Sequence, residues 1–238
     1  MPQPPVPNSR RSIGHVVPPV GFLLKEILRN KSVQRAGMNW VLLQWRNEIR
    51  GTVLDLGCGR DPSGVRGMAQ NAGATYISAD YDLKCHPKVV LDLNQPLPFP
   101  DQSADTVVIA NCMYIVARPE SLLKEARRVL RPAGTVIMIA PLVWQYYPEP
   151  KDMWRFTNQA LDFLLRAAGF DEICIAAVGG RWSGAVHLIS PFLHPGRIVR
   201  PVAHLTAVAL DELLPRLVPR FPAAGDTPLA YCAKARCL

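Results

Sequence analysis

The sequence predicts an α/β fold: a mostly parallel sheet of seven strands with helices on both faces, an N-terminal helical extension and a helical insertion before the last strand. Three observations predict it. From Thr52 onward, short runs rich in Val, Ile and Thr alternate with amphipathic helical segments, the texture of a parallel sheet covered on both sides. One of those runs, Val53–Leu56, enters Gly57-Cys58-Gly59 directly, where glycines allow a sharp turn and a close backbone approach. Before Thr52 and after Val178 the texture changes to prolines and apolar helical stripes.

Residues 1–19 hold six prolines with little apolar periodicity and read as a flexible arm. Residues 20–50 read as helices: Leu23, Leu24, Ile27 and Leu28 share one face, and Met38, Val41, Leu42, Trp45 and Ile49 form a buried stripe. The main domain is expected over 51–238. Its strand candidates are Thr52–Leu56, Thr75–Ala79, Val89–Leu91, Thr106–Ala110, Thr135–Ala140, 171–178 and 228–235. Pro119–Leu130 shows one apolar helical face and stops at the turn Arg131–Gly134. Asn158–Ala168 is a second helix, capped by Thr157 or Asn158 and ended at Gly169. Residues 179–226 form the insertion or lid, with the apolar helix Val202–Leu214 bracketed by Pro201 and Pro215.

The chain has 238 residues, 49% hydrophobic and 19% charged, enough for one well-buried α/β domain with appendages. No apolar run approaches the roughly 18 residues a membrane-spanning helix needs, and the start lacks a secretory h-region, so cytoplasmic residence is expected. The six cysteines are scattered without a C-x-x-C pair, and Cys85-His86 finds no further ligands, so no metal is expected. Residues 1–50 carry eight Lys/Arg against two Asp/Glu, residues 51–180 twelve against fourteen, and residues 181–238 seven against three. The basic flanks suit an anionic partner; no zinc finger or aromatic RNA-binding signature points to nucleic acid. The apolar helix at 202–214 among Arg197, Arg200, Arg216 and Arg220 is compatible with peripheral membrane contact. Oligomeric state is not legible.

The chemistry-bearing residues sit where strands end. Asp55 lies in the strand before the glycine turn, Asp80-Tyr81 closes the second strand, and Asp92-Leu93 follows the third. A carboxylate at the second position can accept two hydrogen bonds from ribose hydroxyls. Leu97-Pro98-Phe99-Pro100-Asp101 and Ala104-Asp105 precede the fourth strand, which ends near Asn111. With Arg131–Gly134 and Ala168-Gly169-Phe170, these residues make the segment 50–175 resemble the class I S-adenosylmethionine-dependent methyltransferases, in particular the small-molecule, type 11-like enzymes.

The resemblance implies a Rossmann-like fold and S-adenosylmethionine as cofactor. It implies that Gly57, Cys58 and Gly59 line the methionine moiety with Asp55 shaping the turn. Asp80, followed by Tyr81, would hold the ribose, Asp92 the adenine amino group, Leu93 would pack on the ring, and Asn111 would stand near the sulfonium. Two departures stand out: the family's third glycine is Asp61 here, beside Arg60, and its frequent Leu-Glu-His-Val is Met113-Tyr114-Ile115-Val116, without the histidine. The loop after the fifth strand carries Asp152-Met153-Trp154-Arg155-Phe156-Thr157, similar to a D-x-W-R-[FY]-T pattern in a subset of the family linked to glycan and natural-product enzymes. Tyr146, Tyr147, Asp152, Trp154 and Arg155 are then walls of the acceptor pocket. The bland alternative has Trp154 and Phe156 plugging the core while Asp152 pairs with Arg155. Tyr147 and His187 are the candidate catalytic bases. The expected activity is O-, N- or C-methylation of a small glycan-related or natural-product acceptor; the alternatives are a non-catalytic or RNA-directed member of the fold and an NAD-dependent oxidoreductase.

Overall fold

The computed structural model describes residues 14–29, 31–59, 64–148, 150–189, 199–218, 220–221 and 223–237. Its strands are β1 (Gly14–Val16), β2 (Thr52–Leu56), β3 (Thr75–Asp80), β4 (Val89–Val90), β5 (Ala104–Ala110), β6 (Leu130–Pro141), β7 (Asp171–Val178) and β8 (Ala230–Arg236). They form one eight-stranded sheet in the order β1-β7-β8-β6-β5-β2-β3-β4. β8 pairs antiparallel with β6 and β7, and every other pair is parallel.

The helices are α1 (Val20–Leu28), α2 (Val33–Gln44), α3 (Val65–Asn71), α4 (Pro119–Val129), α5 (Asn158–Ala167), α6 (Arg181–Ile189) and α7 (Val199–Leu217). Alternation along the strands sends side chains to two cores. Leu54, Leu56, Val107, Ile109, Val136 and Met138 join Leu122, Leu123 and Ala126 of α4 and Leu161 and Leu165 of α5. Val53, Val108, Ile137 and Ile139 join Met38, Val41 and Leu42 of α2 and Val65 and Ala69 of α3. Ser32 caps α2 by accepting from the Arg35 amide at 3.2 Å, and Thr157 caps α5 by accepting from Ala160 at 3.2 Å.

Three expectations are corrected. The sheet has eight strands rather than seven, because Gly14–Val16 of the expected flexible arm pairs with Ala176–Val178. The His15 ring bridges to the Gly179 carbonyl at 3.0 Å and anchors that strand, while residues 1–13 lie outside the described residues. The Arg131–Gly134 turn is absorbed into β6 as an irregularity: Ala104 pairs with Leu130 and Thr106 with Thr135, and Ala133 takes φ 61. Finally, α7 runs through both bracketing prolines. Pro201 sits in the first turn, where an amide is not needed, and Pro215 lies inside the last.

Helices α6 and α7 stand between β7 and β8. Asp211 of α7 accepts from the Trp182 and Ser183 amides at 2.8 and 2.9 Å, so one carboxylate caps α6 from another helix. Gly180 leaves room for it, since a Cβ there would lie 2.5 Å from the Asp211 carboxyl carbon. No helix among the described residues is long and apolar enough to cross a membrane.

Candidate cofactor and acceptor site

The carboxyl ends of β2, β3, β4 and β5 lie together along one edge of the sheet, and the chain order reverses between β2 and β5, the position at which a parallel sheet leaves a crevice for ligands. β2 delivers Gly57 at φ 71 and Gly59 at φ 65, both in the left-handed region. The two glycines serve different ends. A Cβ on Gly57 would lie 2.7 Å from the Cβ and Sγ of Cys112, whereas one on Gly59 would meet nothing within 4 Å among the described residues. The turn is thus closed beneath by Cys112 and open above, and a ligand can rest on its backbone. The Gly57 and Cys58 amides both donate to the Ala79 carbonyl, at 2.8 and 3.2 Å, which ties the turn to β3.

Asp80 completes that tie. Its Oδ2 accepts from the Gly59 amide at 2.9 Å and its Oδ1 from Asp82 at 3.0 Å. Each carboxylate oxygen has a second lone pair, so the ribose role expected of Asp80 is compatible with its bracing of the turn. Asp92 is exposed, and its Oδ1 accepts from the backbone and side-chain nitrogens of Asn94, each at 2.9 Å. Leu93 is buried and lies 3.8 Å from where a Gly57 Cβ would stand. Asn111 takes φ 55, a conformation asparagine tolerates, and its amide donates to Ile139 at 2.9 Å. Tyr81 is exposed at the rim. Asp55, Gly57, Cys58, Gly59, Asp80 and Asn111 therefore stand at or just after the carboxyl ends of β2, β3 and β5, with Leu93 against the Gly57 turn. Arg60 and Asp61 lie outside the described residues.

Asp55 is the most unusual of these. It is 1% exposed; its Oδ2 accepts from the Tyr76 hydroxyl at 2.6 Å, while its buried Oδ1 has no hydrogen-bond partner among the described residues. Burial pushes its carboxyl up to about 6, against the opposing pull of the Tyr76 hydrogen bond and the Arg66 charge. Arg66 sits over the Tyr76 ring, 5.4 Å from its centroid. Burial, then the Asp55 and Asp80 charges, push the Cys58 thiol up to about 11, which suits a structural thiol.

The Leu97–Asp101 segment proves to be a brace. Arg128 of α4 donates to the carbonyls of Phe99 and Leu97 at 2.9 and 3.0 Å and to Asp101 at 2.6 Å, while Glu125 accepts from the Leu97 amide at 2.8 Å. It fixes the chain that leads out of the Asp92-Leu93 wall.

The Asp152–Thr157 loop combines the two readings open to it. Arg155 clamps both oxygens of Asp152, and the Tyr147 amide donates to Asp152 Oδ2 at 2.9 Å. That clamp holds the Asp152 carboxyl below its ordinary range, with the Arg155 hydrogen bond as the main cause. Phe156 is buried in the core, and the Trp154 indole donates to the Val116 carbonyl at 2.8 Å. The Met153 amide donates to Tyr114 at 3.0 Å, so the loop is stitched to the turn after β5. Yet Tyr146, Tyr147 and Trp154 keep exposed faces. Burial raises the Tyr81 and Tyr114 hydroxyls, and Tyr147 is among the neighbours that add to both shifts. His187 packs on Trp144 with ring centroids 5.0 Å apart. Sequence reasoning passed over Cys112, Tyr114 and Trp144, whose only signal was their place just after β5 and β6.

The crevice fits S-adenosylmethionine in three respects: an open backbone cradle at Gly59, an acidic side chain at the end of β3, and an apolar wall at Leu93. Residues 54–138 match the family described as "Methyltransferase domain". A curated rice (Oryza sativa subsp. japonica) protein named 2-methyl-6-phytyl-1,4-hydroquinone methyltransferase 2, chloroplastic, is 29% identical over 92 residues, 37% of this chain. The aligned part spans 26% of the rice protein's length. Among solved structures, a SAM-dependent methyltransferase from Archaeoglobus fulgidus is similar over 92% of this chain and all of its own (100%), with TM-score 0.57 and 18% identity. Phosphoethanolamine N-methyltransferase 2 from Haemonchus contortus, in complex with S-adenosyl-L-methionine, is similar over 91% of this chain and 56% of its own, with TM-score 0.58 and 15% identity. At these identities the solved structures establish the fold.

Proposed function

We propose, on the premise that residues 54–138 are a class I, S-adenosylmethionine-dependent methyltransferase domain, that the chain transfers the methyl group of this cofactor to a small uncharged ring-bearing acceptor. The observation that carries the reading is the glycine turn closed below by Cys112, open above Gly59, and tied to Asp80. When bound, S-adenosylmethionine supplies a methyl group on a sulfonium that is already activated, so the protein's work is placement and exclusion of water. Gly57, Cys58 and Gly59 hold the methionine end. Asp80 would accept from the ribose with Tyr81 alongside, Asp92 would accept from the adenine amino group, Leu93 would pack on the ring, and Asn111 would stand by the reacting centre.

The acceptor reading rests on the loop after β6. Asp152 and Arg155 neutralise each other, so the surface offered consists of phenols and indoles: Tyr146, Tyr147 and Trp154, with Tyr81 and Tyr114 opposite. Such walls suit the apolar face of a sugar or natural-product ring better than a charged group. The rice relative's name, which specifies a hydroquinone, supports the natural-product side of this choice. Methylation of a hydroxyl releases its proton, whereas an amine needs only to arrive deprotonated. Tyr147 and His187 are the side chains we assign to receive a proton. Mass spectrometry of reactions with phenolic, quinol and monosaccharide acceptors tests this directly. A methylated product, with stoichiometric S-adenosylhomocysteine, is expected from at least one ring class. Cofactor binding with no product from any of them would leave the non-catalytic alternative standing instead.

A further inference from the structure

A helix on a protein surface ordinarily turns charge outward, and α7 does not. Among its described side chains the exposed positions read Val199, Val202, Thr206, Ala209, Leu213, Arg216 and Leu217, one charge in a stripe that follows the helical repeat along nearly the whole element. At 1.5 Å per residue, 19 residues give about 28 Å of apolar ridge. The inner side of α7 is already spoken for: Leu205 and Val208 pack against the cluster of Leu23 and Ile27 from α1 with Val33 and Ala36 from α2, and Ala207 and Asp211 are buried. The outer stripe is therefore surplus to the core.

Helix α1 repeats the pattern. Leu23, Glu26 and Ile27 face inward, while Val20, Leu24 and Leu28 are exposed, Val20 and Leu28 at 70% and 75%. Leu188 and Ile189 at the end of α6 are also exposed. The charges interleaved with these side chains have one sign. Lys25, Arg181 and Arg216 occupy exposed positions on the three helices, and Arg29 and Arg220 follow α1 and α7. Among the described residues no acidic side chain occupies an exposed position on any of the three; Glu26 is buried and pairs with Arg29 at 3.6 Å, and Glu212 is half-buried, beside His15 and paired with Arg216 at 3.2 Å.

We propose that α1, α6 and α7 form a docking face for an anionic lipid surface, with the apolar ridges entering the headgroup boundary and the cations engaging lipid phosphates. The single sign of charge decides between occupants. A second copy related by a two-fold axis would bring cations against cations, whereas an anionic bilayer complements both features. The face adjoins the acceptor side of the crevice, because α6 begins where β7 ends and carries His187 against Trp144 of the acceptor loop. The inference is independent of methyl transfer, since a non-catalytic protein with these helices would dock equally well.

Cosedimentation of the full chain with vesicles tests it. Vesicles of phosphatidylcholine with about a third phosphatidylglycerol should take up the protein about tenfold better than phosphatidylcholine alone, with the advantage lost in molar salt. Leu213→Glu with Leu217→Glu should cut uptake at least about tenfold while leaving the melting temperature and S-adenosylmethionine affinity unchanged. Hydrogen exchange on the unsubstituted protein gives a readout that does not depend on the variant folding: amides in α1 and α7 should slow when anionic vesicles are added. Protein that stays in the supernatant with both vesicle types, or exchange that does not change, overturns the proposal. So does a stable dimer in sedimentation velocity that the double variant converts to monomer, which would make a second copy the occupant.

Discussion

Asp55→Asn should make the protein's stability less sensitive to pH, in a direction opposite to the usual carboxylate. The Asp55 carboxyl rises from the ordinary 3.8 to about 6 in the fold, chiefly because burial penalises its charge. At 1.36 kcal/mol per tenfold change, that rise corresponds to about 3 kcal/mol. A carboxyl whose folded value is raised favours the fold when protonated. Its contribution is fully present below pH 3.8 and is lost as pH climbs through about 6. About 2 kcal/mol of the loss falls between roughly pH 4.5 and 7.5. Glu48, Glu125 and Asp152 are shifted downward and act in the other sense, but they are the same in both proteins and cancel in the difference. Asparagine keeps an oxygen for the Tyr76 hydroxyl and places its amide where the partnerless Oδ1 lies, a cost that does not vary with pH. Urea unfolding of both proteins at about pH 4.5, 6 and 7.5 reads the difference. The variant should gain on the parent by about 2 kcal/mol across that range. A gap that stays constant within about 0.5 kcal/mol would refute the claim that this carboxyl is buried and poorly solvated.

The two glycines of the turn should separate folding from binding. Gly57→Ala, with a positive φ and a Cβ 2.7 Å from Cys112, should lower stability by about 2–4 kcal/mol by thermal denaturation. Gly59→Ala faces open space, so it should cost only about 1 kcal/mol of backbone strain yet weaken S-adenosylmethionine about tenfold by calorimetry. Asp80→Ala should reduce that affinity at least about tenfold, because it removes both the ribose acceptor and the bond to Gly59. Asp152→Asn leaves Arg155 without its bidentate partner; we expect about 1–3 kcal/mol of destabilisation and a KM increase for acceptor larger than that for cofactor.

Much of the sheet was legible because its strands are apolar on both faces and bounded by turn residues. Val53–Leu56 into Gly57 and the helical face of Pro119–Val129 are local patterns that tertiary context did not override. Gly14–Val16 was not legible: three residues, one of them glycine, carry no periodicity, and they become a strand only because β7 offers an open edge and Gly179 a carbonyl for His15. The Arg131–Gly134 segment reads as a helix stop and tight turn, whereas the structure carries it within β6, because that depends on how Ala104 and Thr106 register against it. In the site, residue types at strand ends located the crevice. The pairing of Asp152 with Arg155 is one of the two readings the sequence offers for its loop; what the residue types do not reveal is that Asp80 is shared with Gly59 and that one oxygen of Asp55 has no partner among the described residues.

Whether the Gly57–Asp80–Leu93 crevice holds S-adenosylmethionine is read by isothermal titration of the chain with S-adenosylmethionine and S-adenosylhomocysteine. One site per chain is expected, with micromolar-range affinity for both, weakened by Gly59→Ala and Asp80→Ala and unaffected by NAD. No heat from either ligand at millimolar concentration, or displacement of the cofactor by NAD, would contradict it.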